Sequence, residues 1–112
     1  MSIDPGTYNF AVQRRADWSV LLQFKDSNDA AINLTGSTVA AQAWDKARTN
    51  KYADFGITYT SRSNGQVTIS LSDTDTTLFP DELYYDVLVT DNTGRKDYYL
   101  EGVIVVEEGY TT

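Results

Sequence analysis

The stretch "ELYYDVLVTDNTGRKDYYLEGVIVV", residues 82 to 106, decides the fold because two alternating segments flank a turn signal. Apolar residues recur in each segment with the period of two that is typical of a β-strand. The intervening "DNTG" predicts a tight turn with Gly94 in the left-handed region, which glycine occupies without a steric penalty. The stretch therefore predicts an antiparallel β-hairpin.

The turn also predicts a register, in which Thr90 faces Arg95 and Tyr85 faces Leu100. One face of this hairpin is then apolar and belongs to the core: Leu83, Tyr85, Val87, Val89, Tyr98, Leu100, Gly102, Ile104 and Val106. The other face is mixed, and its apolar members are Tyr84, Leu88, Tyr99, Val103 and Val105. Because this second face is more apolar than a solvated face usually is, we predict that it is covered, either by a partner or by another part of the chain.

Similar alternating segments recur through the rest of the sequence. "ADWSVLLQFK", residues 16 to 25, places Trp18, Val20, Leu22 and Phe24 on one face, and "TVAAQAW", residues 38 to 44, separates Val39, Ala41 and Ala43 from Trp44. Asn64 and Gly65 predict a two-residue hairpin turn. "DTDTTLFP", residues 73 to 80, predicts one helical turn that crosses between sheets, with Ser72 or Asp73 as its cap.

These segments predict an all-β protein, an antiparallel immunoglobulin-like β-sandwich of about seven strands. We expect one domain over residues 1 to 112, with a core from about residue 7 to residue 106. The two ends, residues 1 to 6 and 107 to 112, have little to bury and are expected to be mobile unless a neighbour orders them.

The composition argues against several classes of function. The chain has no Cys and no His, which removes the commonest nucleophiles, general bases and zinc ligands. The net charge of −7 disfavours nucleic acid and anionic membranes as partners, and no run is long enough to span a bilayer. We therefore predict no enzyme, no catalytic residues, no cofactor and no metal site.

The most suggestive single residue is Trp44, which ends a strand opposite the core side and precedes a basic loop with Lys46, Arg48 and Lys51. Trp and Tyr are enriched where partners bury surface, so Trp44 is a candidate interface residue together with the mixed face of the hairpin. Its alternative role is to cover the sheet edge. Asp73 and Asp75, like Asp26 and Asp29, are interpreted as turn and cap residues and not as calcium ligands.

Two long stretches carry a resemblance to a known family. They are "RRADWSVLLQFKDSNDAAINLTGSTVAAQAW" (residues 14 to 44) and "NGQVTISLSDTDTTLFPDELYYDVLVTDNTGRKDYYLEGVIVV" (residues 64 to 106). In their order of strands and turns they resemble the N-terminal domain of upper baseplate proteins of tailed bacteriophages, which is an immunoglobulin-like sandwich. The chain departs from that family in having "PDEL", residues 80 to 83, where the family often has Gly. Family members are also usually longer, with further domains after the sandwich.

The resemblance implies a non-enzymatic virion structural protein, made in the host cytoplasm and attached to a baseplate, neck, tail fibre or capsid. Its expected partners are other virion proteins, and it is expected to be a homo-oligomer or to occur in many copies per particle. The alternative from another class is a carbohydrate-binding module, because small sandwiches present aromatic rings to sugars and this chain has eight Tyr and two Trp.

Overall fold

The computed structural model describes residues 6 to 26 and 28 to 108. The elements in chain order are β1 (Gly6–Thr7), β2 (Phe10–Gln13), β3 (Trp18–Gln23), β4 (Thr38–Trp44), β5 (Lys51–Asp54), β6 (Gly56–Ser61), a 3₁₀ helix (Arg62–Asn64), β7 (Gln66–Leu71), α1 (Asp73–Thr77), β8 (Glu82–Thr90) and β9 (Lys96–Glu107). They form a six-stranded sheet, in which β1 and β2 pair with β9 and are followed by β8, β4 and β5, and a three-stranded sheet in the order β3, β7, β6. The predicted two-sheet β-sandwich is confirmed.

The core lies between the two sheets and follows the alternation in the sequence. In most strands the more buried side chains alternate with the more exposed ones, because successive side chains of a strand point to opposite faces of the sheet. The side chains that are almost completely buried include Phe24, Leu34, Val67, Ile69, Leu83, Val87, Val89 and Ile104. The predicted inward residues of β4, Val39, Ala41 and Ala43, are also buried. No helix in the described part of the chain is long and apolar enough to cross a membrane.

The N-terminal segment departs from the predicted antiparallel arrangement, because β1 and β2 both pair with β9 in parallel. Gly102 makes this close approach possible: a Cβ at that position would collide with the carbonyl oxygen of Tyr8. That oxygen accepts a hydrogen bond from the Tyr85 hydroxyl at 2.6 Å, and the Asn9 side chain accepts one from the Val103 amide at 2.9 Å. Residues 6 to 13 therefore lie along β9, and we call this segment the N-terminal strap.

The β8–β9 hairpin has the predicted strands and turn glycine, but the predicted register is wrong. Gly94 has a φ of +89°, as expected. However, Asp91 accepts the amides of Thr93 and Arg95 on its carboxylate, and its own amide donates to the Arg95 carbonyl. The turn therefore includes Arg95, and Thr90 faces Lys96. An irregularity between Val87 and Leu88 shifts the pairing once more, so that Tyr85 faces Gly102 and not Leu100.

The two shifts change which tyrosine of β9 faces inward. Val87 faces the buried Leu100 and not Tyr98, and the predicted inward residues of β8 are all buried. Tyr98, in contrast, pairs with the outward Leu88 and is 50% exposed, so its predicted place in the core is wrong. The one-residue shift at the turn moves Tyr98 to the outer face, because each such shift exchanges the two faces of a strand. The second shift, between Val87 and Leu88, returns Leu100 and the residues after it to the predicted faces.

The remaining local predictions have mixed outcomes. The connection between β6 and β7 is a 3₁₀ turn in which Gly65 has a φ of +69°; Asn64 has no positive φ, so the predicted two-residue hairpin turn is wrong. The predicted helical turn between the sheets is confirmed as α1. Ser72 caps α1 and forms a capping box with Asp75. The predicted mobile ends lie largely outside the described residues, although Glu107 belongs to β9.

Candidate binding face and groove

Five of the six predicted interface residues lie on the outer face of the six-stranded sheet. Trp44 pairs with Tyr84, which pairs in turn with Val103, so these three form one row across β4, β8 and β9. Leu88 belongs to a second row, between Ala40 and Tyr98. Val105 lies beyond the first row and is 47% exposed. The structure thus brings these distant segments together on one surface.

The sixth predicted interface residue, Tyr99, was placed on the wrong face. It lies opposite the irregularity in β8, where no residue pairs with it, and it packs edge-on against the buried Phe24 with ring centroids 4.2 Å apart. Its hydroxyl donates to the carbonyl of Gln23 at 3.1 Å. Tyr98 takes its place on the outer face, and the sequence alternation could not reveal this because the irregularity interrupts it.

A polar row separates the two apolar rows. Gln42, Asp86 and Glu101 are adjacent on β4, β8 and β9. Burial raises the pKa of the Asp86 carboxyl above its usual range, and the neighbouring Glu101 raises it further, whereas the Arg48 guanidinium opposes the shift. Two carboxylates directly opposite each other are unfavourable in a sheet, so this row is not arranged for stability.

The connection between β4 and β5 forms one wall beside this row. Asp45 holds it in shape: its carboxylate accepts the Thr49 amide at 2.7 Å, and its carbonyl accepts the Arg48 amide at 3.0 Å. Arg48 has a φ of +58° and turns the chain back towards β5. Of the other predicted basic residues of this connection, Lys51 forms an ion pair with Asp54 at 3.0 Å.

The rows and the wall enclose a groove of about 580 Å³ on the outer face. Its lining combines aromatic, carboxylate, amide and cationic groups: Thr7, Asn9, Gln42, Trp44, Asp45, Lys46, Arg48, Tyr84, Tyr85, Asp86, Glu101, Gly102 and Val103. A smaller cavity of about 120 Å³ lies on the Leu88 side and shares Trp44, Arg48 and Asp86 with the first. Gln42, Asp86 and Glu101 were not predicted as groove residues, although they lie on the same strand faces as Trp44, Tyr84 and Val103.

The outer face is not buried beneath another layer of the described chain. The β4–β5 connection and the N-terminal strap border the groove, but Tyr98 and Val105 remain 50% and 47% exposed. The described part of the chain therefore covers this face only in part, and it leaves Tyr98 and Val105 exposed. A covering by a partner stays a prediction.

Three of the other acidic residues considered in the sequence, Asp26, Asp73 and Asp75, bond to the backbone, and the fourth, Asp29, forms an ion pair with Lys25 at 3.3 Å. Asp26 accepts the amides of Asn28 and Ala30, at 2.9 and 3.0 Å, and Asp75 completes the cap of α1. These are the turn and cap roles that such residues usually have. Among residues 6 to 26 and 28 to 108, no group of three or more His, Cys, Asp or Glu is placed to hold a metal ion.

Comparisons with known proteins bear on the fold. No family model matches the sequence, and no curated protein matches it. A crystal structure of the Lin-41 filamin domain is similar, with a TM-score of 0.50 and 14% sequence identity over 88% of this chain and 84% of that chain. At this identity the similarity shows the fold alone, which is an all-β, immunoglobulin-like sandwich.

Proposed function

We propose that the chain is a non-enzymatic structural protein of a tailed-bacteriophage particle, which attaches to other virion proteins through the outer face of its six-stranded sheet. The observation that carries the proposal is the apolar surface of that face. Val105 and Tyr98 are each about half exposed, and neither belongs to a core on that side. Exposed apolar surface of this kind is typical of protein–protein contact.

The part of the face best suited to attachment is the β9 patch, which we define as Tyr84, Val103 and Val105. The Tyr84 hydroxyl donates to the Glu82 carboxylate at 3.0 Å, which restricts the ring on the sheet surface. A tyrosine held in this way loses little conformational freedom when a partner covers it, and aliphatic neighbours exclude water around it. Leu88 and Tyr98 extend the apolar surface on the far side of the polar row.

Multiple copies in the particle would strengthen such attachment. A face of this size gives modest contacts for one molecule, but repeated copies on a symmetric assembly raise the effective concentration of each contact. The proposed location is accordingly the virion, with other virion proteins or further copies of this chain as partners. The order of strands and turns in residues 14 to 44 and 64 to 106, which resembles baseplate domains, supports the same proposal.

Mass spectrometry of purified particles tests the assignment to the virion. The expected result is that peptides of this chain copurify with the capsid proteins through a density gradient, at a fixed ratio to them. Absence of the chain from infectious particles would refute the proposal.

A pair of charge substitutions tests the face. Val105→Asp places a charge in the β9 patch, and Leu21→Asp places one on the outer face of the three-stranded sheet, where Leu21 is 52% exposed. We expect Val105→Asp to lower incorporation into particles about ten-fold or more, because a carboxylate would have to be buried against the partner. Leu21→Asp is the matched control and should incorporate normally. Equal incorporation of the two variants, with equal melting temperatures, would show that attachment uses another surface.

A further inference from the structure

The groove beside the β9 patch has the dimensions of a binding site for a small molecule. Such sites occupy roughly 300 to 1,000 Å³ and combine apolar walls with a few placed polar groups. The larger cavity has about 580 Å³, and Arg48 lies between it and the smaller one of about 120 Å³. An elongated ligand that passes Arg48 would therefore contact both cavities.

The floor of the groove is a row of hydrogen-bond acceptors. Asp86 and Glu101 present carboxylates, and Gln42 lies beside them. The Gln42 side chain is oriented, because its Oε1 accepts the indole N–H of Trp44 at 3.0 Å. Hydroxyl donors from a ligand would relieve the repulsion between the half-buried Asp86 carboxylate and the exposed Glu101 carboxylate, and carboxylates accept strong hydrogen bonds from such donors.

The aromatic pair Trp44 and Tyr84 forms the apolar part of the groove. The two residues are direct neighbours on β4 and β8, and both are half-buried. The bond from Trp44 to Gln42 and the bond from Tyr84 to Glu82 hold both rings. The face of an aromatic ring is electron-rich and attracts the weakly positive C–H groups of an aliphatic ring.

The groove carries charges of both signs. Its lining has three acidic side chains, Asp45, Asp86 and Glu101, and two basic ones, Lys46 and Arg48. A strongly anionic ligand would meet the carboxylates, and a strongly cationic one would meet the two basic side chains. A neutral ligand with many donors and acceptors and an aliphatic ring satisfies all of these groups.

We propose that this groove binds a neutral saccharide. Asp86, Glu101 and Gln42 accept hydrogen bonds from its hydroxyl groups, and Arg48 donates to its oxygens. Trp44 and Tyr84 contact the C–H face of a sugar ring. The inference does not rest on attachment to a virion, because the purified chain carries the whole groove.

The test is a titration of the ¹⁵N-labelled chain, followed by NMR, with cellotetraose, maltotetraose and tetra-N-acetylchitotetraose as neutral probes. Tetragalacturonic acid and N-acetylarginine amide are the anionic and cationic comparisons. We expect at least one neutral probe to shift the backbone amide signals of Gln42, Asp86 and Glu101 in a saturable manner. Neither charged compound should shift these signals at the same concentration.

Two variants and their matched controls test the assignment of residues. Asp86→Asn and Trp44→Leu should each weaken binding of that probe about ten-fold or more, because a polar partner or a ring contact is lost. Glu107→Gln and Leu21→Ala change exposed residues outside the groove and should leave binding unchanged. NMR spectra of all four variants establish that each is folded.

Three outcomes would overturn the proposal. The first is that none of the three neutral probes shifts the groove signals. The second is that Asp86→Asn and Trp44→Leu bind as tightly as the unmodified chain. The third is that only N-acetylarginine amide shifts the signals, which would identify the groove as a receptor for a basic side chain of a partner protein. Presence or absence of the chain in phage particles affects none of these results.

Discussion

The outer faces of the two sheets differ in chemistry although both sheets share one core. The outer face of the three-stranded sheet is mainly hydroxyl-bearing: it carries Ser19, Leu21, Thr58, Thr60, Thr68 and Ser70. The outer face of the six-stranded sheet is aromatic and aliphatic around a polar row: it carries Ala40, Gln42, Trp44, Tyr84, Asp86, Leu88, Tyr98, Glu101, Val103 and Val105.

The requirements of folding in water explain the composition of one outer face but not of the other. Hydroxyl groups bond to water and to each other, as those of Thr60 and Thr68 do at 3.0 Å. The outer face of the three-stranded sheet is therefore compatible with contact with water. The apolar groups of the other face have no such partner in water. Since both inner faces already supply the core, we propose binding, and not stability, as the role of the outer apolar groups of the six-stranded sheet.

The largest expected effect is the difference in stability between a substitution on the inner side of the three-stranded sheet and one on its outer side. Ile69 is completely buried and Leu21 is 52% exposed, yet they lie on paired strands of the same sheet. Ile69→Ala should lower the free energy of unfolding by about 2–5 kcal/mol, because it removes packed methylene groups and leaves a cavity. Leu21→Ala should cost less than about 1 kcal/mol. Urea denaturation measures both, and a similar loss for the two variants would mean that the hydroxyl face is also covered.

A second substitution tests the N-terminal strap, which among the described strands pairs with the six-stranded sheet and not with the other sheet. Gly102→Ala brings a methyl group against the Tyr8 carbonyl, so the strap must move away from β9. We expect a loss of about 1–3 kcal/mol in urea denaturation, as for other overpacked sites. Gly6→Ala is the matched control, because its Cβ would meet only the Leu100 side chain at 3.7 Å. If Gly102→Ala is as stable as Gly6→Ala, the strap is not bound as the structure shows.

A smaller loss of stability is expected from a change at the N-cap of α1, which connects the two sheets. Ser72→Ala removes the hydroxyl that accepts the Asp75 amide at 3.2 Å and thus removes one half of the capping box. The expected loss is about 1 kcal/mol, measured by thermal denaturation. Thr74→Ala, at an exposed position inside α1, is the control and should have little effect. A loss no larger for Ser72→Ala than for Thr74→Ala would show that the cap does not stabilise the crossing.

The smallest effect is a pH dependence within the outer polar row, where Asp86 and Asp54 flank Gln42. The pKa of Asp86 is raised, mainly by burial, so its ionised form destabilises the folded state above that pKa. The pKa of Asp54 is lowered, mainly by its hydrogen bond with Lys51, so its ionised form stabilises the folded state.

The two Asp→Asn variants should therefore shift the melting temperature in opposite directions. At about pH 7, Asp86→Asn should melt above the unmodified chain and Asp54→Asn below it. The difference for Asp86→Asn should shrink as the pH falls towards about 4, where that carboxyl is protonated in the folded and unfolded states alike. The difference for Asp54→Asn should shrink only at still lower pH, because the pKa of the Asp54 carboxyl is lowered. A lower melting temperature for Asp86→Asn at about pH 7 would mean that attraction from Arg48 outweighs the cost of burying the carboxylate.

Much of the fold was predictable because it depends on short-range chemistry. Alternation identified the inward residues of β3, β4, β7 and β8, and the Ser72 cap and the positive φ of Gly94 follow from single residue types. The N-terminal strap was not predictable in direction, because the parallel pairing of β2 with β9 joins residues more than 90 positions apart. No local signal distinguishes parallel from antiparallel pairing for so short a strand.

The candidate site was predictable only in part, for a related reason. Five of the six proposed contacts lie on one face because that face follows from alternation within each strand. Tyr99 was misplaced because it is an extra residue in β9, opposite the step from Val87 to Leu88, and this irregularity changes the sidedness of β9 locally. The groove needs three strands in register and a connection folded over them, which no single segment encodes.

The sequence by itself determined which residues alternate, where the turns and the cap lie, and that an apolar surface is left over after the core is filled. Those features depend on the conformational preferences of single residues and on the period of a strand. Only the tertiary structure decided that Asp86 lies opposite Glu101, that Arg48 lies beside them, and that Tyr98 replaces Tyr99 on the outer face. These outcomes depend on register between distant strands, which is set by the sum of many packing contacts and by one extra residue in β9.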